Sequence, residues 1–241
     1  MTVSLEVTFA ILAVCIAGVF RGFSGFGTGM ILVPCLSLIY EPVVAVVTVV
    51  LLELIPAVQL FKASLAKCHW QTVVPMALIS SITVPLGAHL LITFDANTLR
   101  VLIAIMVIMT VIVLSSGWRY KGETGIKTSA MAGLSSGIIT GATSLGGLPV
   151  ILYYLSSQLT TQVARASMII FLFMTTVVTL AIYANQGIIT SDIIVRSGWL
   201  APAFIIAIWI GGSLFGKVSE TLFRKVILTL LTGVSFLMLL S

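Results

Sequence analysis

Hydrophobic positions in this chain neither alternate nor fall on a single helical stripe; they run in continuous blocks. Six blocks are long enough to cross a bilayer as helices, at about 43–61, 71–92, 98–116, 162–184, 197–216 and 222–240. Each is apolar on all faces, which suits a helix in lipid rather than an amphipathic surface helix. Trp70, Trp118, Tyr120, Tyr183 and Trp199 stand near block ends, where amphipathic rings anchor at a membrane interface.

Two further blocks are apolar but interrupted. Residues 3–40 are broken by Gly22-Phe23-Ser24-Gly25-Phe26-Gly27-Thr28-Gly29, and residues 129–157 by Gly141-Ala142-Thr143-Ser144-Leu145-Gly146-Gly147. Glycine favours non-helical backbone, so each cluster is expected to unwind its helix. Unwound backbone survives in a membrane only where protein buries it or where it lines a wet cavity.

The two clusters lie about 119 residues apart. At that offset Gly22 falls on Gly141, Ser24 on Thr143 and Gly27 on Gly146. Three apolar blocks follow each cluster. Thr98-Leu99-Arg100 resembles Thr221-Leu222-Phe223-Arg224, and Pro75 resembles Pro202. The pattern predicts a duplicated unit.

Composition fixes the solvent. Of the 241 residues, 59% are hydrophobic and 8% charged, against about 25% charged in a soluble domain. The formal charge of +5 does not point to nucleic acid, because the cations sit in short loops. They are Lys62 and Lys67; Arg119, Lys121 and Lys127; and Lys217, Arg224 and Lys225. The positive-inside rule places these three loops in the cytoplasm. The loops near Asp95 and from Asn185 to Asp192 are poor in cations, although Arg100 and Arg196 border them.

With those loops inside, each broken block must cross an even number of times, as a re-entrant pair or two short spans. Both termini then fall outside, and three spans per half invert the second half relative to the first. The expected fold is all-α and polytopic: two inverted-topology repeats, each a broken or re-entrant short helix pair plus three transmembrane helices. It forms one transmembrane domain, with repeat one at 1–116, a cytoplasmic linker at 117–128 and repeat two at 129–241. Paired broken helices in an inverted repeat are a transporter architecture. The N-terminal apolar stretch lacks a basic region and a small-residue cleavage site, so it is read as retained structure.

Free backbone N–H groups and helix N-termini at the breaks favour an anion. Arg21 precedes the first cluster within apolar sequence. A buried guanidinium faces a cavity or a partner and suits an oxyanion; the alternative is that Arg21 snorkels to an interface. The expected binding set is Arg21, Gly22, Phe23, Ser24, Gly25, Phe26, Gly27, Thr28, Gly141, Thr143, Ser144, Gly146 and Gly147. Ser24, Thr28, Thr143 and Ser144 would supply hydroxyl donors. Glu53, mid-block, is a candidate proton carrier or partner for Arg21. It could equally be a protonated helix contact. Arg165 reads as a cytoplasmic-end anchor, Gln59 as a helix–helix hydrogen bond and His89 as a packing histidine.

Other chemistries find little support. Cys15, Cys35 and Cys68 form no CxxC pair, and their odd number argues against a disulfide framework. Gly25-Phe26-Gly27-Thr28-Gly29 lacks the spacing and βαβ context of a nucleotide loop. Catalytic constellations and metal clusters are missing from the sequence pattern, so no enzyme activity, cofactor, metal or nucleic-acid partner is expected. The expected partners are a small anion and the lipid bilayer.

Gly22 through Gly29 followed by Pro34, with Gly133 through Gly147 in the second half, resemble the TauE/SafE family of membrane permeases. Thr143-Ser144-Leu145 stands where many members are richer in glycine. The resemblance covers nearly the whole chain. It implies export of small sulfur-containing anions, such as sulfite, sulfoacetate and related organosulfonates, across a bacterial inner membrane. The function expected is a secondary transporter working by alternating access. The competing readings are a passive anion channel, a non-transporting membrane scaffold and a cation permease.

Overall fold

A computed structural model describes residues 3–116, 125–214, 229 and 231–234. Among these residues the structure is helical with connecting turns. The helices are α1 (Val3–Ser24), α2 (Thr28–Ser37), α3 (Pro42–Leu65), α4 (Trp70–Thr93), α5 (Ala96–Ser116), α6 (Ile126–Thr143), α7 (Gly147–Ser156), α8 (Thr161–Asn185) and α9 (Ser191–Leu214). Six of them (α1, α3, α4, α5, α8 and α9) are long and apolar enough to cross a membrane. The chain is a polytopic membrane protein.

Five of the expected spans correspond to α3, α4, α5, α8 and α9. The sixth, 222–240, lies outside the described residues except for helical positions 229 and 231–234. Linker residues 117–124, with Trp118, Arg119, Tyr120 and Lys121, are likewise outside them, and so are Lys217, Arg224 and Lys225. The helix pairs at the breaks are unequal. The long partners α1 and α6 have 22 and 18 residues, and the short partners α2 and α7 have ten each. The first glycine cluster falls late in its apolar block, and α6 begins at Ile126, ahead of the second block, so the longer helix precedes each break.

Helix packing crosses between the halves. α1 lies along α9, α6 lies along α4, and α3 packs against α8. α4 also touches α8, and α9 touches α3. Exchanging α1 with α6, α2 with α7, α3 with α8 and α4 with α9 maps this set of contacts onto itself.

The same exchange holds residue by residue. Gly18 faces Phe204 and Ala207, while Gly137 faces Ser80 and Thr83. Gly22 faces Ile208 and Gly212, while Gly141 faces Val84 and Ala88. Gly211 faces the carbonyl of Val19, and Gly87 that of Ile138. A Cβ at Gly22, Gly87, Gly141 or Gly211 would strike opposing backbone, so these glycines set the close approach of the helices. In both pairs the contacts advance in the same direction along the two helices, so α1 runs parallel to α9 and α6 parallel to α4. By this register Pro75 stands opposite Trp199, one turn away from the Pro202 it was matched with by sequence.

Three side chains sit differently from expectation. Tyr183 is wholly buried and donates to the Gly141 carbonyl at 2.8 Å, so it is a core tie and not an interface anchor. Gln59 and His89 are exposed on the bundle surface rather than packed within it. Trp70 and Trp199 are exposed, as an interface ring requires.

Candidate functional site

Each break is three residues long: Gly25-Phe26-Gly27 in the first half and Ser144-Leu145-Gly146 in the second. They fall at equivalent positions. Gly25 has φ 83° and its counterpart Ser144 has φ 58°; Ser144 is the described non-glycine residue in the left-handed region. The hydroxyls just before the breaks also match. Ser24 donates to the Phe20 carbonyl at 2.7 Å and accepts from the Phe26 N–H at 3.3 Å. Thr143 donates to the Ile139 carbonyl at 2.9 Å and accepts from the Leu145 N–H at 3.3 Å. Each hydroxyl closes the last turn of the long helix and ties down the first residues beyond it.

The breaks meet. A Cβ on Gly29 would strike the Ser144 carbonyl. Between them lies a cavity of about 30 Å³, lined from the first half by Arg21, Phe26, Gly27, Gly29, Met30 and Glu53, and from the second by Ser144, Leu145, Gly147 and Leu172. Phe26 and Leu145 are equivalent positions, as are Glu53 and Leu172. Glu53 and Leu172 sit at the middle of α3 and α8, so the cavity lies at mid-depth of the spanning helices. Helices α2 and α7 start at its wall without side-chain caps. Their first N–H groups have no partner within the helix and carry partial positive charge.

Arg21 is 1% exposed, and its Nη2 lies 3.1 Å from Glu53 Oε2. None of its three guanidinium nitrogens makes a well-aligned hydrogen bond among the described residues. Burial excludes the snorkelling alternative, and the contact makes Glu53 the charge partner of Arg21. A guanidinium taken out of water with its donors unfilled is costly, and such a group belongs beside a ligand or water. Thr28 Oγ1 is also buried without a hydrogen bond.

Arg165 is not simply a helix-end anchor. Its side chain crosses from α8 to the first break, where Nη2 donates to the Gly22 carbonyl at 3.4 Å. A Cβ on Gly25 would lie 2.8 Å from Arg165 Nε. Glycine at position 25 therefore serves both the left-handed turn and the passage of this side chain.

The structure divides the expected binding residues. Arg21, Phe26, Gly27, Ser144 and Gly147 line the cavity. Gly22 and Gly141, expected in unwound chain, are helical and pack against backbone. Phe23 is buried and does not line the cavity. Ser24 and Thr143 spend their hydroxyls on backbone carbonyls, Ser24 within reach of both Phe20 and Phe26 and Thr143 on Ile139. Gly146 fits against Thr140 and Ser136, and the Ser136 hydroxyl donates to its carbonyl at 2.6 Å. Gly29, Met30, Leu145 and Leu172 also line the cavity. Leu172 could have been found only by carrying Glu53 across the repeat offset. Among the described residues no group of three His, Cys, Asp or Glu is arranged to hold a metal.

Both short helices are fastened at their far ends to the opposite half. Past α2, the Tyr40 ring lies under the Arg196 guanidinium of α9, 3.8 Å from its centroid. In the last turn of α7, the Tyr154 hydroxyl meets Thr72 Oγ1 of α4 at 3.2 Å, and Thr72 also contacts His69 Nδ1 at 3.1 Å. By the helix register above, Thr72 and Arg196 are equivalent positions. One fastening is neutral and the other cationic.

Neither a curated relative nor a solved structure matches the chain. A family model, described as sulfite exporter TauE/SafE, matches residues 10–238. That match spans both breaks and both fastenings, and the protein is accordingly a membrane transporter belonging to the TauE/SafE sulfite exporter family.

Proposed function

We propose that the protein is a secondary transporter that exports a small sulfur-containing anion, an organosulfonate such as sulfoacetate or sulfite itself, by alternating access. The observation that carries this reading is Arg21, fully buried with unfilled donors on a cavity that both breaks line. The guanidinium would grip the oxyanion bidentately. The N-terminal N–H groups of α2 and α7 would face it from either half, with the Ser144 hydroxyl beside them. Family membership supports the sulfonate or sulfite class.

Two inverted repeats in an inner membrane, with both termini outside, fit the parallel pairs α1–α9 and α4–α6. The loop-charge orientation gives each of those pairs a common direction across the bilayer. The cavity has room for about two or three waters, since a water needs roughly 10–15 Å³ by this measure. It is too small for a sulfonate head, so substrate entry requires the breaks to part. A pocket of that size favours a carrier over a passive channel.

The test is flux in proteoliposomes loaded separately with sulfoacetate, sulfite, taurine, sulfate or chloride, with Arg21→Gln alongside. Saturable movement of a sulfonate or sulfite that is lost in the variant supports the site and the function. Sulfonate movement that survives the substitution removes Arg21 from the site. No flux of any of these anions, in folded protein, defeats the reading.

A further inference from the structure

We infer that Glu53 is a proton site, and that each anion crosses the membrane together with one proton. The inference rests on the cavity being the anion site. Arg21 already has a counter-charge there, the Glu53 carboxylate 3.1 Å away. Glu53 itself lines the cavity, and it is the only carboxylate that does so among the described residues. An anion that enters to reach Arg21 therefore also meets Glu53. Two negative charges sharing one small site and one contacting cation repel each other, and the weaker acid takes up a proton.

A second cation, Arg165 of α8, stands at the first break with its guanidinium on the Gly22 carbonyl, and Arg21 is the cation in contact with Glu53. Of the elements packed on α3, α2 brings only Cys35. α5 brings Arg100, which donates to Ser37 at the far end of α2 at 3.3 Å. α9 brings Asp192 in its first turn and Arg196 over Tyr40. α8 brings Tyr183, which is bonded to Gly141, and Arg165, which reaches to the Gly22 carbonyl. Arg21 is the group that Glu53 contacts.

The charges balance step by step. In the empty site Arg21 and Glu53 neutralise one another. On loading, a proton binds the Glu53 carboxylate, and a monoanion takes its place against Arg21. The new carboxylic O–H can donate to an anion oxygen. On release the anion and the proton leave, and the ion pair closes again. The loaded and empty sites carry the same net charge, so neither passage moves charge across the membrane. Downhill efflux of the anion then carries protons outward with it.

Full-length protein in liposomes can be loaded with methanesulfonate, a monoanion whose charge does not titrate in the working pH range. A pH dye reports the lumen, and valinomycin with potassium sets the potential. Efflux is expected to alkalinise the lumen by about one proton per anion. At equilibrium the anion ratio should follow the pH gradient, about tenfold per pH unit, and ignore the imposed potential. In Glu53→Gln, any surviving flux should move no proton and should follow the potential. Wild-type flux that tracks the potential and leaves lumen pH unchanged overturns the proton site while leaving transport standing. No flux of methanesulfonate or of sulfite defeats the anion site, and the proton site with it.

Discussion

Glu53 and Leu172 line one cavity from the middle of α3 and of α8, at equivalent positions of the two halves. One is ionisable and the other is not. The symmetric packing of the two halves thus frames a cavity lining that is one-sided: its cation is Arg21, its carboxylate is Glu53, and both come from the first half. Breaking this pair should be expensive. Arg21→Gln or Glu53→Gln alone leaves an uncompensated buried charge and should cost about 3–5 kcal/mol of stability. The double variant should recover most of it. Thermal unfolding of the purified protein in detergent reads both effects, and a double-variant loss equal to the sum of the two single losses would show that the two groups are not coupled.

Glycines of packing and glycines of the site should behave differently. Gly22→Ala and Gly141→Ala push a methyl into opposing backbone and should each destabilise by about 1–3 kcal/mol. Gly147→Ala meets only Met30 and Ile151 side chains at 3.8 and 3.9 Å. It should fold with near wild-type stability and weaken substrate affinity by narrowing the cavity. Melting temperature and transport KM, measured together, separate the two classes.

Ser144 occupies a backbone conformation that its counterpart Gly25 adopts freely. Ser144→Gly should therefore keep or raise stability, by up to about 1 kcal/mol. Loss of its hydroxyl from the cavity wall should raise KM by roughly five- to tenfold, the equivalent of one hydrogen bond. An unchanged KM would place the hydroxyl outside the substrate's reach.

The fastening of α7 to α4 should bias the carrier. Tyr154→Phe removes the contact with Thr72 and leaves the ring in place. A loss of about 1 kcal/mol would shift the balance between the two facing states roughly fivefold. A cysteine at Ser144, in protein freed of its three native cysteines, reports that balance through labelling by an impermeant maleimide from each side. Tyr40→Leu, which releases the other fastening, should shift labelling in the opposite direction.

Orientation can be checked directly. Asp192 is exposed in the first turn of α9. A cysteine there should react with impermeant reagent added outside intact cells. Reaction only from the cytoplasmic side would reverse the proposed topology.

Much of the architecture was legible in the sequence because lipid imposes simple rules. Continuous apolar blocks gave α3, α4, α5, α8 and α9, and glycine clusters gave both breaks. Arg21 and Glu53 stood out because a charge inside an apolar block needs a reason. What sequence blurred was the work of each small residue. Gly22 and Gly25 look alike in a string of letters, yet one packs helix on helix and the other turns the chain. Ser24 and Thr143 looked like donors for a ligand, but nearby helix carbonyls claim them first. Arg165 was legible as a cation but not as a neighbour of the first break, because a contact between α8 and α1 leaves no mark on local pattern.

The crossed packing of α1 on α9 and of α6 on α4 also constrains how the protein can be made. The ribosome delivers α1 first, but its glycine face has no partner until α9 has been synthesised. Neither half can complete its own interior. Two fragments cut at the linker should therefore each misfold when expressed alone and assemble when expressed together. The parts that swing against each other during transport would also be composite, each with helices from both ends of the chain.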